Sequence, residues 1–299
     1  MIRITDGDLA VSVDPDFGNN AFSFTARGHE ILWKPEGWPK PALGGIPLLA
    51  PWANRIDGDA YFANGQRYLL NASLENLRYD GNHLPIHGLL AFAGGWKIVA
   101  QDAASVTSRL EFWRFPRWMA QFPFAHAIEI THRLRGGSLE VATAIENLSV
   151  EPMPLCVGYH PYFQLSDSPR EEWLVHLAAR EQVTLSEKLV PTEEKRPIGL
   201  PNPFPLSGAA LDHVFTGLTG ADFVLQGRTQ RIAVHYGEKF PVAIVYAPSN
   251  GSFVCFEPMT ALTNAFNLDH AGVAAGLQHI APGQTWRESF RITPAGFTV

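Results

Sequence analysis

Apolar and polar residues alternate with a period of two through much of this chain. In "AHAIEITHRL", Ile128, Ile130, His132 and Leu134 fall on one side, against Ala127, Glu129, Thr131 and Arg133 on the other. Successive strand side chains point to opposite faces, so this pattern predicts a strand with one face buried. "SLEVATAIENL" repeats it, with Leu139, Val141, Thr143 and Ile145 against Glu140, Ala142, Ala144 and Glu146. Arg135-Gly136-Gly137-Ser138 joins the two runs and accommodates positive φ, which predicts a β-hairpin. Asn64-Gly65 inside "DAYFANGQRYLL" predicts a second hairpin, and "RIAVHYGEKFPVAIVYAP" and "QTWRESFRIT" also read as strands. Helical periodicity is not sustained over three turns anywhere; "EEWLVHLAARE" fits a short helix or an alternating strand equally well. The 26 Gly and 23 Pro are spread along the chain as turn punctuation, with no pooled linker and no repeat. These signals predict one all-β domain over residues 1–299, with enough strands to need two packed sheets. The long connections Arg78–Gly95 and Glu193–Leu211 are the expected carriers of a site.

Composition narrows the class. The 299 residues are 46% hydrophobic and 17% charged, a balance that supports a large core and argues against disorder. A net charge of −6 gives no basic face, so nucleic acid and acidic membranes are not expected partners. Cys156 and Cys255 each sit in an apolar run without metal or disulfide spacing and are expected as buried free thiols. The N-terminus lacks an apolar leader and no window approaches ~18 apolar residues, which together predict a soluble, cytoplasmic protein, monomer or homodimer.

Four stretches are unusual for sandwich filler. In "GGIPLLAPWANRI", Arg55 either closes a surface ion pair or presents fixed donors to a hydroxylated or anionic ligand. In "GNHLPIHGLLAFAGGW", His83 and His87 are four apart, but Pro85 between them and Gly88 after them argue against a helical metal pair, and no metal is expected. His87 beside Gly88 is placed either to approach a ligand or to bond a loop carbonyl. In "LCVGYHPYFQL", Pro161 holds His160 extended, and Tyr159, Tyr162 and Phe163 offer flat faces on which sugar C–H groups could pack. His160 alone could equally be a satisfied core histidine. In "FVCFEPMTALTNAFN", Glu257 breaks abruptly from four apolar residues and is either a solvated strand-end carboxylate or a positioned base.

Taken in order, these motifs resemble the aldose 1-epimerase, or galactose mutarotase-like, family. The resemblance is carried by Asn54-Arg55, His87-Gly88, Gly158-Tyr159-His160-Pro161-Tyr162-Phe163, the "LDHVFTGL" of Leu211–Leu218, Glu257-Pro258-Met259-Thr260 with "NAFN" after it, and the closing "LQHIAPGQTWRESFRI"; it runs from about Gly44 to Ile292. It implies a large antiparallel β-sandwich, the galactose mutarotase-like supersandwich, with its site in a cleft on the concave side. It further implies interconversion of the α and β anomers of a free aldohexose without a cofactor. By motif, His160 would be the general acid and Glu257 the general base, while Arg55, His87 and Asp212 would bind the sugar. The chain departs from the pattern in having Leu89 after Gly88 and Pro51 where members carry a second arginine. "GGIPLLAPW" is instead similar to the hexose-6-phosphate mutarotase-like branch, whose members bind phosphate with additional arginines; Arg78, Arg114 and Arg117 are available here. A hexose 6-phosphate substrate, a non-catalytic sugar sensor, and glycoside cleavage by an Asp212–Glu257 pair are the competing readings.

Overall fold

The computed structural model describes residues 1–39 and 42–298. Two sheets carry most of the chain. The larger has nine strands, in the order Phe204–Pro205, Leu174–His176, Phe223–Gln226, Arg231–Tyr236, Thr285–Ala295, Ser138–Asn147, His126–Arg135, Ser105–Glu111 and Lys97–Gln101. The second runs Pro191–Pro197, Ala179–Leu185, Leu211–Leu218, Val242–Ala247, Val254–Met259, Gly158–Tyr159 and Leu48–Leu49, with Tyr162–Phe163 also paired to Val254–Met259. A four-stranded sheet near the N-terminus, Ile2–Asp6, Leu9–Asp14, Asn20–Ala26 and His29–Glu30, adds to the first. Pairing within these ladders is antiparallel. The architecture is the antiparallel all-β sandwich expected from the period-two pattern.

Both predicted hairpins are present. His126–Arg135 and Ser138–Asn147 pair from His126–Asn147 to Arg135–Ser138, and Ala60–Ala63 pairs with Gln66–Leu69 around Asn64-Gly65. The ambiguous "EEWLVHLAARE" resolves to strand: a single 3-10 turn at Arg170–Glu172 precedes Leu174–His176 and Ala179–Leu185. Two flanking sheets, which need the alternating face filled, outweigh a weak local helix preference. Part of the expected connection Glu193–Leu211 is likewise strand, at Pro191–Pro197 and Phe204–Pro205.

The core lies between the two large sheets. Phe223 of the nine-stranded sheet meets Phe256 of the other at 5.9 Å between ring centroids, and Phe290 meets Tyr159 at 5.0 Å. Period-two geometry then decides what faces outward. Phe256 points into the sandwich, so its neighbours Cys255 and Glu257 emerge on the opposite face; Cys255 there packs with Tyr162, Phe253 and Tyr246. The same rule sends Tyr159 inward, where its hydroxyl and that of Thr143 bond at 2.6 Å, and turns His160 outward. The outer face of the second sheet is thus where the unusual residues collect.

Candidate active site

Three backbone devices assemble the site. The first joins the histidine strand to the glutamate strand. Gly158 pairs with Met259, and a Cβ on Gly158 would strike the Met259 sulfur and the Pro258 carbonyl, so only glycine lets the strands approach. Buried Thr260 then latches them: its hydroxyl accepts from the Val157 amide at 2.9 Å and donates to the Val157 carbonyl at 3.0 Å. These contacts explain why Gly-Tyr-His-Pro and Glu-Pro-Met-Thr occur together. His160 follows Tyr159 at the strand end, its amide donating to the Pro47 carbonyl at 3.1 Å and its ring stacking on Tyr162 at 4.6 Å.

The second device seats His87. Its backbone is left-handed, φ 62°, and its amide donates to the Asn54 carbonyl at 2.9 Å. Gly88 follows at φ 59°, and a Cβ there would collide with the Ala50 carbonyl. Non-glycine left-handed residues cost energy and gather where structure must fix a side chain; Asn54 and Asn264 share the feature here. The third device fixes Arg55. Its Nε donates to Asp80 Oδ2 at 2.6 Å and its Nη1 to Asn54 Oδ1 at 2.9 Å. Asp80 in turn accepts from the amides of Asn82 and Leu84 through Oδ1, both at 2.9 Å. The Arg55 carbonyl receives the Asn264 amide at 3.0 Å, so the "NAFN" motif braces the arginine segment.

These elements enclose a cavity of about 260 Å³ lined by Arg55, His87, His160, Asp212 and Glu257, with Asn54, Leu43, Ile86, Tyr162, Ile244 and Tyr246 completing it. All five residues singled out from sequence therefore converge. The volume falls just below that of drug-sized pockets, ~300–1,000 Å³, which suits a monosaccharide. Larger hollows lie elsewhere, such as one of about 420 Å³ lined by Glu129, Thr131, Ala142 and Arg287, but it gathers no buried titratable side chain. His83, by contrast, is exposed against Tyr79, and no cluster of three or more metal-ligating side chains occurs among the described residues.

At the cavity floor His160 Nε2 and Glu257 Oε1 are 3.1 Å apart, both nearly sealed from solvent. Burial pushes Glu257 well above the ordinary carboxyl range, the charge of Asp212 adding to this and Arg55 opposing it. Burial pushes His160 down to about 3, with the positive charge of Arg78 acting in the same direction. Both directions favour an uncharged pair holding one proton between Oε1 and Nε2. His87 meets His160 edge to face at 5.5 Å and is also held neutral, first by burial and then by His160, Arg78 and Arg55. Asp212 is open to solvent at the cavity mouth, its carboxyl raised by partial enclosure against the pull of Arg55.

Of the three aromatic faces expected to meet a sugar, only Tyr162 lines the cavity. Tyr159 and Phe163 are core residues, because the alternation that presents His160 and Tyr162 must bury their neighbours. Tyr246, opposite Asp212 in the adjoining strand, supplies a second ring and was not singled out from sequence; only its place two residues from Ile244 in an alternating run hints at it. Asp80 also went unmarked, although an Asp before Gly-Asn is a standard turn former. Arg114 and Arg117 sit elsewhere: Arg114 pairs with Glu111 and Arg117 donates to the Leu74 carbonyl.

The aldose 1-epimerase family model matches residues 1–293, and the chain belongs to that family. Among curated relatives, Escherichia coli K12 YihR is 27% identical over 245 residues, covering 79% of this chain and 76% of its own. YphB of the same organism is 26% identical over 258 residues, 79% of each chain. A galactose mutarotase-like protein from Clostridium acetobutylicum superposes with a TM-score of 0.86 at 20% identity, covering 99% of this chain and 95% of that one. Galactose 1-epimerase from Lactobacillus acidophilus does so with a TM-score of 0.75 at 16% identity, covering 98% and 93%. At such identities these structures establish the shared galactose mutarotase-like fold.

Proposed function

We propose that this protein is a mutarotase that interconverts the anomers of an aldose by acid–base ring opening, with His160 as acid and Glu257 as base. The observation that carries the reading is the 3.1 Å approach of His160 Nε2 to Glu257 Oε1 on the floor of a monosaccharide-sized cavity. Ring opening exchanges protons at two oxygens attached to the same carbon, the ring oxygen and the C1 hydroxyl. An acid and a base serving them must stand side by side, as these two do. Moving the shared proton from Oε1 to Nε2 arms the pair without changing its total charge. His160 then gives that proton to the ring oxygen as the C1–O bond breaks, and Glu257 takes the proton of the C1 hydroxyl as the aldehyde forms. Rotation about C1–C2 and reclosure on the other face, with the roles reversed, complete the exchange. Only protons and one C–O bond are involved, so the reaction calls for no cofactor.

His87 is a neutral imidazole whose place supports a hydrogen bond to the sugar beside His160. Arg55, held rigid by Asp80 and Asn54, offers donors to hydroxyls, and Asp212 offers acceptors from the other side. A clasp of arginines around a phosphate is not supported, since Arg114 and Arg117 are engaged away from the cavity. A sugar sensor on this scaffold would bind an aldose without accelerating mutarotation, and polarimetry with and without protein separates the two.

A further inference from the structure

Ring opening asks His160 to carry a positive charge for part of the cycle. The proton it gives to the ring oxygen first passes from Glu257 Oε1 to its own Nε2, 3.1 Å away. Until that proton is delivered, the pair is an imidazolium beside a carboxylate. Its surroundings work against this. Burial opposes the charge on the imidazole, and so does the positive Arg78. His87, edge to face with His160 at 5.5 Å, is held neutral and supplies no opposite charge. Beyond Glu257 itself, the support has to come from the rings packed around His160.

Tyr162 is the ring that lies flat against it. The two planes are 17° apart with centroids at 4.6 Å, and Tyr246 closes another side at 73° and 6.1 Å. Tyr162 is not free to turn away. Its amide donates to the Gly45 carbonyl at 2.9 Å, and its carbonyl accepts from the Trp33 amide at 2.9 Å. Its backbone pairs with Cys255, two residues before Glu257 on the same strand, so one ladder fixes both the ring and the base. Trp33 at 5.6 Å and Phe253 at 4.9 Å flank the ring. Burial pushes the phenol well above its ordinary value, so Tyr162 stays uncharged and acts through its ring face. That face is electron-rich and attracts a cation, more strongly where water is excluded. Taken up by the imidazole, it cannot also serve as a platform for sugar C–H groups.

We propose that Tyr162 is a positioning residue for the acid: its ring face holds the His160 imidazole flat and favours the imidazolium that ring opening requires. This role rests on the mutarotase reading and adds to it a residue that acts through His160 rather than on the sugar.

The test is polarimetric mutarotation of whichever of glucose, galactose and xylose the wild type accelerates most, corrected for the uncatalysed rate. Tyr162→Leu should lose about tenfold in kcat, and Tyr162→Phe should restore most of it. Phenylalanine carrying one, two and three ring fluorines at position 162 then weakens the ring face in steps at nearly constant shape. The expected result is a stepwise fall in log kcat, about tenfold from phenylalanine to the trifluoro ring, with KM nearly constant. A kcat indifferent to fluorine overturns the role, since packing alone is satisfied by every ring in the series. A loss confined to KM also overturns it and makes Tyr162 a sugar contact. If the wild type accelerates no aldose, the mutarotase reading fails, and proton NMR of the His160 ring across the same series decides the stack separately. An acid titration midpoint that falls with each added fluorine keeps it, and a fixed midpoint removes it.

Discussion

Asp80 lies outside the cavity, yet it fixes the arginine proposed to bind the sugar. Its carboxylate takes the Arg55 Nε and two backbone amides, and the ion pair is 13% and 7% exposed on its two sides. Asp80→Asn keeps the shape and one acceptor oxygen but removes the charge facing Arg55. Breaking a fully buried pair from one side costs ~3–5 kcal/mol. The retained acceptor and the nearby solvent-open cavity bring the expected loss down to ~2 kcal/mol. At ~2.1 cal/mol/K per residue, unfolding of a chain this long carries ~0.6 kcal/mol/K, so the melting temperature should fall ~3 °C. The pH dependence has a definite sign. Burial raises the Asp80 carboxyl, but the Arg55 bond and the amides outweigh it, leaving a net depression. The stability it contributes is present above the unfolded carboxyl pKa and is lost as pH falls through the depressed folded value. The difference in melting temperature between wild type and Asp80→Asn should therefore shrink on acidification. In steady-state polarimetry the variant should raise KM more than it lowers kcat, because a loosened Arg55 weakens sugar binding. In a double-mutant cycle with Arg55→Met, the two losses should fall well short of additive. Additive losses, or an unchanged KM in Asp80→Asn, would refute the coupling.

Three further outcomes follow from the geometry. Gly88→Ala must place a Cβ against the Ala50 carbonyl at positive φ, so it should cost ~3 kcal/mol or more and displace His87; thermal melting and residual kcat both report it. Tyr159→Phe removes the core hydroxyl bond to Thr143 and should cost ~1 kcal/mol of stability while activity per folded molecule stays at the wild-type level, as urea unfolding alongside polarimetry would show. The pH–rate profile should be a plateau wider than the interval between the ordinary values of 4.5 and 6.5. Glu257 is raised and His160 lowered, so the pair keeps its single proton across neutral pH; a narrow bell with limbs near those two values would contradict this.

The sandwich was readable because alternation is a local signal, and the His126–Asn147 and Ala60–Leu69 hairpins carry their turns in sequence. Four of the five cavity residues stand out because each breaks the pattern around it, Arg55 after an apolar run, His160 before a proline, Glu257 after four apolar residues and His87 against a glycine, whereas Asp212 is marked only by the family resemblance of its "LDHVFTGL". What the pattern could not show was which side of a strand a ring takes once its register is set. Tyr159 and Tyr162 look alike in sequence and part company because three positions separate them across the strand break at His160-Pro161, putting one in the core and one in the cavity. Tyr246 and Asp80 were overlooked for a related reason, since their roles arise from neighbours distant in sequence, Asp212 and Arg55 respectively. Arg78, Arg114 and Arg117 are equivalent by residue type, and only packing separates them: Arg78 lies over the Phe92 ring, Arg114 pairs with Glu111 and Arg117 donates to the Leu74 carbonyl.

The central claim is that Glu257 and His160 open a sugar ring as a base and an acid. It is tested most directly by polarimetric mutarotation of a panel of neutral and anionic aldoses with wild-type protein and Glu257→Gln, the fold being checked by circular dichroism. The expected result is that the wild type accelerates at least one aldose and that Glu257→Gln, still folded, loses about 100-fold or more in kcat. A folded Glu257→Gln with wild-type kcat, or a wild type that accelerates none of the panel, would contradict it.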